Sequence, residues 1–599
     1  MNSSGQKPSS LKVSDVIMQA IADAGVGTIF GIAGGASLHL LNSVVTHPKL
    51  TLVTTHHEQA AAMAADSYSR VSGNLGVAIA TSGPGATNLL TGISGCFYDS
   101  IPTVFITGQV STTRQSGSTG TRQIGFQETP IVQMVQAITK YSVQITDPRN
   151  IKEEIEKCIY FAREGRPGPT LIDIPDDIQR MMVSQANLSK FIAPVNTSEA
   201  SGLGIDASVA LAQLVRESKR PIFICGSGIH LAGREEAMRI FLESVGWPTL
   251  LTWGAAELLD NNSSVRVGTF GTHGTRLGNF TVQNADLIIS IGSRLDTKAT
   301  GSPVTTFAPG AKIVMFDVDN TELEKFSNFG KSLNLKICLN LRDESFVEAL
   351  AVIENNALVP TEWHKFIRSS EVTLHEERSA ARKGVVEPYR FIGALAESVP
   401  AQSRVFIDTG CAIAWTMQSW KTRANTRLFH DFNNTAMGWA LPAVIGSLAE
   451  DANIPTFAVI GDGSFMMSMQ ELATLNSIPG NVCIFLINNS GYSMIKQTQD
   501  QWFDGTYFAS NAGENMHFPN FAKLADSFGL NYETIDSEST MYSVISKCIT
   551  NRGSTLCEVN ISSSERVVPQ VKFGRPIQDM DPPFSEERMA RYQLPHDTV

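Results

Sequence analysis

Strand-sized apolar runs alternate with amphipathic, helix-patterned segments along nearly the whole chain. From residue 11 to about 180 the runs are TIFGI, LGVAIATSG, PTVFITGQ and PTLIDIP, each separated from the next by residues at helical spacing. Such alternation predicts parallel strands joined by crossover helices. It recurs at 205–341, with PIFICGSG, ADLIISIG and KIVMFDVD, and at 388–561, with VFIDTG, TFAVIGDG and NVCIFLINN. The predicted fold class is therefore α/β, with three doubly wound parallel-sheet domains at 11–185, 205–341 and 388–561. Residues 186–204 lack a sustained apolar period and read as a linker, while 342–387 is charged and helix-patterned and reads as a connector. Residues 562–599 are rich in proline and charge, too polar for a core of their own, and read as a C-terminal arm or partly ordered tail.

Composition supports this division. At 599 residues the chain exceeds one core, since domains average about 150 residues. The 42% hydrophobic and 18% charged residues suit a globular chain rather than a disordered one. Net charge is −11 and no basic block stands out, which argues against nucleic acid as a partner. No apolar run approaches the ~20 residues of a membrane span. The opening MNSSGQKPSS lacks the apolar core of a secretory signal, so a cytoplasmic protein is expected. Eight cysteines without a C-x-x-C pair, several inside apolar runs, predict neither disulfides nor zinc.

Candidate chemistry centres on residues 456–498. There an apolar run leads into Gly461, Asp462, Gly463 and Ser464, a helix-patterned segment follows, and a second apolar run ends in Asn488 and Asn489. This unit predicts two loops side by side at the carboxyl ends of neighbouring parallel strands, where open α/β sheets bind ligands. Asp462 and Asn489 offer hard oxygens suited to Mg²⁺, the glycines allow close backbone approach, and the following helix presents free N–H groups to an anion. The sum is a site for a metal-bound diphosphate. A lone GDG is an ordinary turn; GDGS followed after 23 residues by NN, with strands on both sides, is a far more specific pattern.

That pattern resembles the signature of thiamine diphosphate (ThDP) enzymes, and GDGSFMMSMQELATL resembles the acetolactate synthase branch in particular. The resemblance covers nearly all of residues 10–560, with motifs of the pyrimidine-binding, central and diphosphate-binding domains in family order. It implies Asp462, Asn489 and Gly491 as Mg²⁺ ligands, and Gly34, Gly35, Ala36, Gly410, Gly461, Gly463, Ser464 and Tyr492 around the cofactor. Met437 would prop ThDP in its folded shape. Glu58, in HEQAA, opens a small-residue helix; spacing alone reads it as a complement to the helix dipole, whereas the resemblance makes it the catalytic carboxylate that hydrogen-bonds the aminopyrimidine. Gln109, Phe126 and Lys140 match residues lining the active-site mouth or the flavin edge, although Phe126 taken singly reads as core.

In the middle domain, Asp317 or Asp319, following a strand, can bind ribose hydroxyls or cap the next helix. The resemblance adds FAD as an expected cofactor, through Gly226, Gly271, His273, Gly274, Gly292, Arg294, Asp296, Asp317 and Asp319. It implies a decarboxylating carboligase acting on a 2-keto acid such as pyruvate, with acetolactate as product, in a homodimer or homotetramer whose cofactor lies between subunits.

Several positions depart from the family. Cys411 and Ala412 stand where a glutamine and a histidine usually reach the diphosphate, which leaves phosphate contacts partly to backbone N–H groups. Lys298 and Thr498 replace an arginine that binds the acceptor's carboxylate and a tryptophan that shapes the pocket; Trp502 is a substitute if the loop shifts. The loop at 111–124 is longer and more polar than usual. The arm and the NNSGYSMIKQTQDQWF form of the Asn loop resemble a ThDP group associated with polysaccharide sugar modification; with Lys298 and Thr498 they make two-carbon transfer to a keto-sugar nucleotide an alternative, beside simple decarboxylation or lysis and a non-catalytic flavoprotein scaffold.

Overall fold

The computed structural model describes residues 10–194, 203–374, 386–423, 425–513 and 516–595, and its frame is three six-stranded parallel sheets. Parts of the expected linker (195–202) and connector (375–385) lie outside the described residues, as do the first nine. The N-terminal sheet runs Thr51–Thr54, Thr28–Gly31, Gly76–Ala80, Thr103–Gln109, Pro169–Pro175, Tyr141–Gln144. The C-terminal sheet runs Arg427–Phe429, Arg404–Ile407, Thr456–Gly461, Val482–Asn488, Thr555–Asn560, Asn531–Ile535. Counted within each domain, both follow the order 2-1-3-4-6-5. The central sheet follows 3-2-1-4-5-6: Arg266–Thr269, Thr249–Leu251, Pro221–Cys225, Leu287–Ile291, Lys312–Asp317, Leu335–Cys338.

Helices cover both faces of each sheet, which is why strands such as Gly76–Ala80, Thr103–Gln109 and Leu287–Ile291 are buried throughout and read as continuous apolar runs. Where the strand order reverses, the loops leaving adjacent strands diverge and open a crevice. The crevices fall between Thr28–Gly31 and Gly76–Ala80, between Arg404–Ile407 and Thr456–Gly461, and between Pro221–Cys225 and Leu287–Ile291.

The two outer domains of one chain share a core. Phe30, Ala61 and Ile93 pack in one cluster with Trp439, Leu472 and Phe521. At its centre the alanine-rich helix Glu58–Ser72 lies against the helix Ala440–Glu450. The approach is close because Gly446 has no side chain: a Cβ there would stand 2.1 Å from the Ala64 carbonyl oxygen. The Ser67 hydroxyl donates to the Ala443 carbonyl at 2.6 Å, and Trp439 Nε1 to Asp66 Oδ2 at 2.7 Å.

Two segments behave differently from their sequence reading. The connector is part of the central domain: in Glu344–Asn356 the residues Phe346, Ala349 and Ile353 are buried, and in Thr361–Thr373 Trp363 and Ile367 are buried. Its charged outer faces dominate the composition and mask an apolar stripe at helical spacing. The C-terminal arm is docked rather than loose, with Val571, Ile577 and Met580 in the central domain's core. Asn279 Nδ2 donates to the Ile577 carbonyl, Asn284 Nδ2 to the Tyr592 carbonyl, and Phe280 stacks on Phe584. An arm too polar for its own core borrows another. Among the described residues no helix is long and apolar enough to cross a membrane.

The helix contact sets a stability prediction. Gly446→Ala drives a methyl into backbone and should cost about 1–3 kcal/mol by urea denaturation. Gly393→Ala, in the helix Pro388–Ser398 with nothing within 4 Å of the new Cβ, should stabilise by up to about 1 kcal/mol. Equal effects of the two substitutions would contradict the described packing.

Candidate active site

Asp462 begins the short helix Asp462–Phe465 at the end of the strand Thr456–Gly461, at the C-terminal crevice. One carboxylate oxygen accepts from Gly463 N at 2.7 Å, the other from Asn489 N and Gly491 N at 3.2 and 3.1 Å. Burial pushes the Asp462 carboxyl up to about 6 despite these donors. Beside it, Asn489 Oδ1 is buried without a hydrogen-bond partner. Gly491 at φ 147° permits the turn, and a Cβ there would stand 2.2 Å from the Ser510 carbonyl oxygen. Tyr492 covers Gly463, where a Cβ would be 2.0 Å from its ring. An orphaned amide oxygen next to an under-neutralised carboxylate is the donor set of a hard divalent cation.

The turn at 436–438, which carries Met437, is held by a residue that the sequence reading did not single out. Asp408 accepts from Thr409 N (2.9 Å), Gly438 N (3.1 Å) and Ala440 N (2.8 Å), and from the Ser464 hydroxyl. Its one sequence signal is an acid directly after an apolar strand. It thereby ties Gly410, Met437 and Ser464 into one unit, and around Gly410 and Gly461 the positions a Cβ would take are open.

In the N-terminal domain, His57 caps the helix Glu58–Ser72 by accepting from Gln59 N, and Glu58 is its first residue. Glu58 Oε2 accepts from Asn88 Nδ2 at 2.9 Å, while Oε1 lies 3.1 Å from where a Cβ on Gly85 would be. Thr81 Oγ1 accepts from Ala36 N at 3.1 Å, and a Cβ on Gly34 would strike the Thr81 side chain at 2.4 Å. The loops at 34–36 and 81–88 therefore interlock around Glu58, with Gly35 open on its outer side.

Other expected residues fall differently. Gln109 is buried and fully engaged: Nε2 donates to the Thr129 carbonyl (2.7 Å) and Asp173 (3.1 Å), and Oε1 accepts from Val110 N. It braces the segment bearing Phe126 instead of facing open space. Phe126 is 83% exposed, so its reading as core does not hold. The loop before it is ordered by Glu128. Desolvation acts to raise that carboxyl, yet donors from Ile124, Ser116 and Gly125 outweigh it and hold it below the usual range. Lys140 precedes the strand Tyr141–Gln144, at the opposite end of the parallel sheet from Glu58, and donates to the Glu164 carbonyl. Within this chain it does not join the others.

A cavity of about 450 Å³ opens at the central crevice, between all three domains, and His273, Gly292, Arg294, Asp296, Lys298 and Asp317 line it. That is within the ~300–1,000 Å³ of cofactor pockets. Gly226, Gly271, Gly274 and Asp319 do not line it. The glycines serve close backbone packing, their would-be Cβ atoms falling 2.3–2.4 Å from neighbouring backbone. Asp319 caps the helix Asn320–Asn328 through Thr321 N and pairs with Arg166 at 3.0 Å. Asp317 is the acid at the cavity, pushed up to about 6 by burial. Asp296 is partly spent capping Lys298 N and Ala299 N. Lys298 Nζ sits 3.9 Å from the Trp253 ring centroid, and burial lowers it to about 8. His273 is pulled down to about 3 by burial and by Lys298, with Nδ1 buried and unpartnered.

Comparison with known proteins agrees with this arrangement. Three family models match in order: the thiamine pyrophosphate enzyme N-terminal TPP binding domain at 11–135, its central domain at 209–334, and its C-terminal TPP binding domain at 408–559. The chain is 31% identical to acetolactate synthase 1, chloroplastic, of Oryza sativa subsp. japonica, over 95% of this chain and 87% of the relative. It is 30% identical to acetolactate synthase 2, chloroplastic, of Zea mays, over 95% and 88%. It is also 30% identical to the acetolactate synthase large subunit of Lactococcus lactis subsp. lactis, over 95% of both chains.

The Asp408 clamp is testable. Asp408→Ala leaves two buried N–H groups, of Gly438 and Ala440, without an acceptor, each costing about 1–3 kcal/mol. Asp408→Asn keeps an acceptor oxygen and should cost less in the same denaturation experiment. Equal loss in both would mean that the charge, not the hydrogen bonding, organises the turn.

Proposed function

The chain belongs to the thiamine pyrophosphate enzyme family, among its acetolactate-synthase-like members, and from that premise we propose how its residues divide the work. It is a ThDP-dependent carboligase that decarboxylates a 2-keto acid and transfers the remaining two-carbon unit to a carbonyl acceptor. Bound ThDP supplies the carbanion chemistry, and the protein supplies position and electrostatics.

The observation that carries the site assignment is the orphaned Asn489 Oδ1 beside the buried Asp462 carboxylate. With the Gly491 carbonyl these oxygens would hold Mg²⁺ against the cofactor's diphosphate. Glu58 would present Oε1 to the aminopyrimidine, since Oε2 is engaged by Asn88. Gly35, open on its outer side within the 34–36 loop that Thr81 holds, would leave room for the ring, and Met437, on the turn clamped by Asp408, would support the cofactor. FAD would lie in the central cavity, which Asp317, Arg294 and His273 line. The working unit is a homodimer or homotetramer in the cytoplasm, with Glu58 of one chain and Asp462 of another at one cofactor.

Pyruvate is the donor and a second 2-keto acid, giving acetolactate, the acceptor. A larger acceptor such as a keto-sugar nucleotide is favoured by one feature: Thr498 leaves the pocket without a tryptophan wall, and Trp502 does not replace it, being 58% exposed and packed on Phe573 of the arm. Product analysis by NMR with labelled pyruvate separates the two. Steady acetolactate formation supports the first; slow CO₂ release until a keto-sugar nucleotide is added supports the second.

Two further outcomes are expected. Glu58→Gln should lower turnover by about 10²–10⁴-fold with fold and ThDP binding retained; unchanged turnover would remove Glu58 from the chemistry. Lys298 is charged below about 8 and neutral above it, so the KM for an acidic acceptor should rise as pH passes 8. Lys298→Arg, which stays charged, should abolish that rise. A KM flat with pH in the wild type would exclude Lys298 as the anion contact.

A further inference from the structure

Lys496 lies in the helix Ser493–Trp502, which follows the Asn489 loop, and is 2% exposed. Its ammonium reaches back to that loop: a Cβ on Gly491 would stand 3.2 Å from Nζ. Among the described residues it has no hydrogen-bond or ion-pair partner. The nearby acids are otherwise engaged, Asp500 with Arg566 Nε at 2.6 Å and with the Tyr507 hydroxyl, and Asp462 with backbone N–H groups. Its stem is enclosed while the ammonium keeps contact with open space, and partial burial lowers its pKa. Such a group makes sense where an anion is to come.

The surroundings say which anion. On one side of Lys496 is Asp462 with the orphaned Asn489 oxygen, a cation site. On the other is the helix Cys411–Ser419, whose first residue follows Gly410 at φ 92° with open space beside it. The Cys411 thiol, pushed up to about 12 by burial, is pulled the other way by Arg566 and Lys496, so both cations are within electrostatic reach of this helix start. Cys411 and Ala412 bring no side-chain donor of the kind that the glutamine and histidine of acetolactate synthases provide. A diphosphate carries more negative charge than one divalent cation neutralises, and here an additional positive charge comes from a different element.

We propose that Lys496 binds the cofactor's diphosphate, replacing the side-chain donors absent at Cys411 and Ala412. The inference rests on the ThDP reading of the site. Lys496 thus gains an ion partner only when the cofactor is present.

Calorimetric titration of the full-length apoprotein with ThDP and Mg²⁺, and separately with unphosphorylated thiamine, tests this. Lys496→Met should weaken ThDP about 10- to 100-fold, leave thiamine unchanged, and leave the apoprotein as stable as wild type, because the ammonium has no protein partner to lose. Lys496→Arg should bind ThDP more tightly than Lys496→Met. If wild type binds ThDP and Lys496→Met binds it equally well, the assignment of Lys496 fails and the ThDP reading stands. If Lys496→Met loses thiamine and ThDP alike while its apoprotein melts lower, the lysine is structural and the proposal fails. If wild type does not bind ThDP, both fall.

Discussion

The Arg70 guanidinium holds the two outer domains in register. It lies near the end of the helix Glu58–Ser72, buried, with Nε on Asp66 (2.9 Å), Nη2 on Asp99 (2.8 Å) and Nη1 on the His430 carbonyl (3.1 Å). Both carboxylates also serve the C-terminal domain: Asp66 accepts from Trp439 Nε1, and Asp99 from Phe432 N and Asn433 N. One cation among several buried acids is an unbalanced arrangement, and Asp431 nearby is pushed up to about 7, first by burial and then by Asp99. Asp66 and Asp99 are tolerated because indole or backbone N–H groups complete their shells, whereas Asp431 accepts from Ala436 N through one oxygen and leaves the other unpartnered. Breaking the network from either side strands a buried charge on the other.

The network matters for function because it sits on the elements that carry the site. Glu58 is the first residue of the helix whose last turn holds Arg70, so the position of the carboxylate is inherited from the interdomain contact. Trp439 ends the turn that presents Met437, and Asp408 fixes that turn to the Gly461 loop through Ser464. A second bond, from His56 N to the Glu471 carboxylate, ties the approach to Glu58 to the segment after the GDGS turn. The strand order does the rest. Crevices arise where order reverses, and the glycine loops occupy those crevices because only they permit the approach distances seen at Gly34, Gly226 and Gly463.

What the sequence made legible was local: apolar periodicity located the sheets, and the GDGS and NN segments were readable because metal and phosphate chemistry confines them to loops at strand ends. What it hid was relational. Gln109 and Asp319 carry the right side chains beside the right loops, yet their polar atoms are consumed by Asp173 and Arg166, partners far away in sequence. Lys496 reads as one more charge on a polar helix face, and only the fold turns it toward Gly491. The docking of the arm and of the connector helices is hidden for one reason: their apolar residues are sparse, and burial depends on the surface they meet, which composition does not describe.

The electrostatics of the central cavity turn on Lys298. Lys298 projects over Trp253 with its ammonium desolvated, near two histidines, His273 and His430, which burial together with its charge keeps neutral. A lysine there is a compact charge without the planar fork of arginine, so it attracts a carboxylate or phosphate without dictating its orientation. Orientation must then come from the walls of that cavity, where Arg294, Asp317 and the backbone of Gly292 stand beside Lys298.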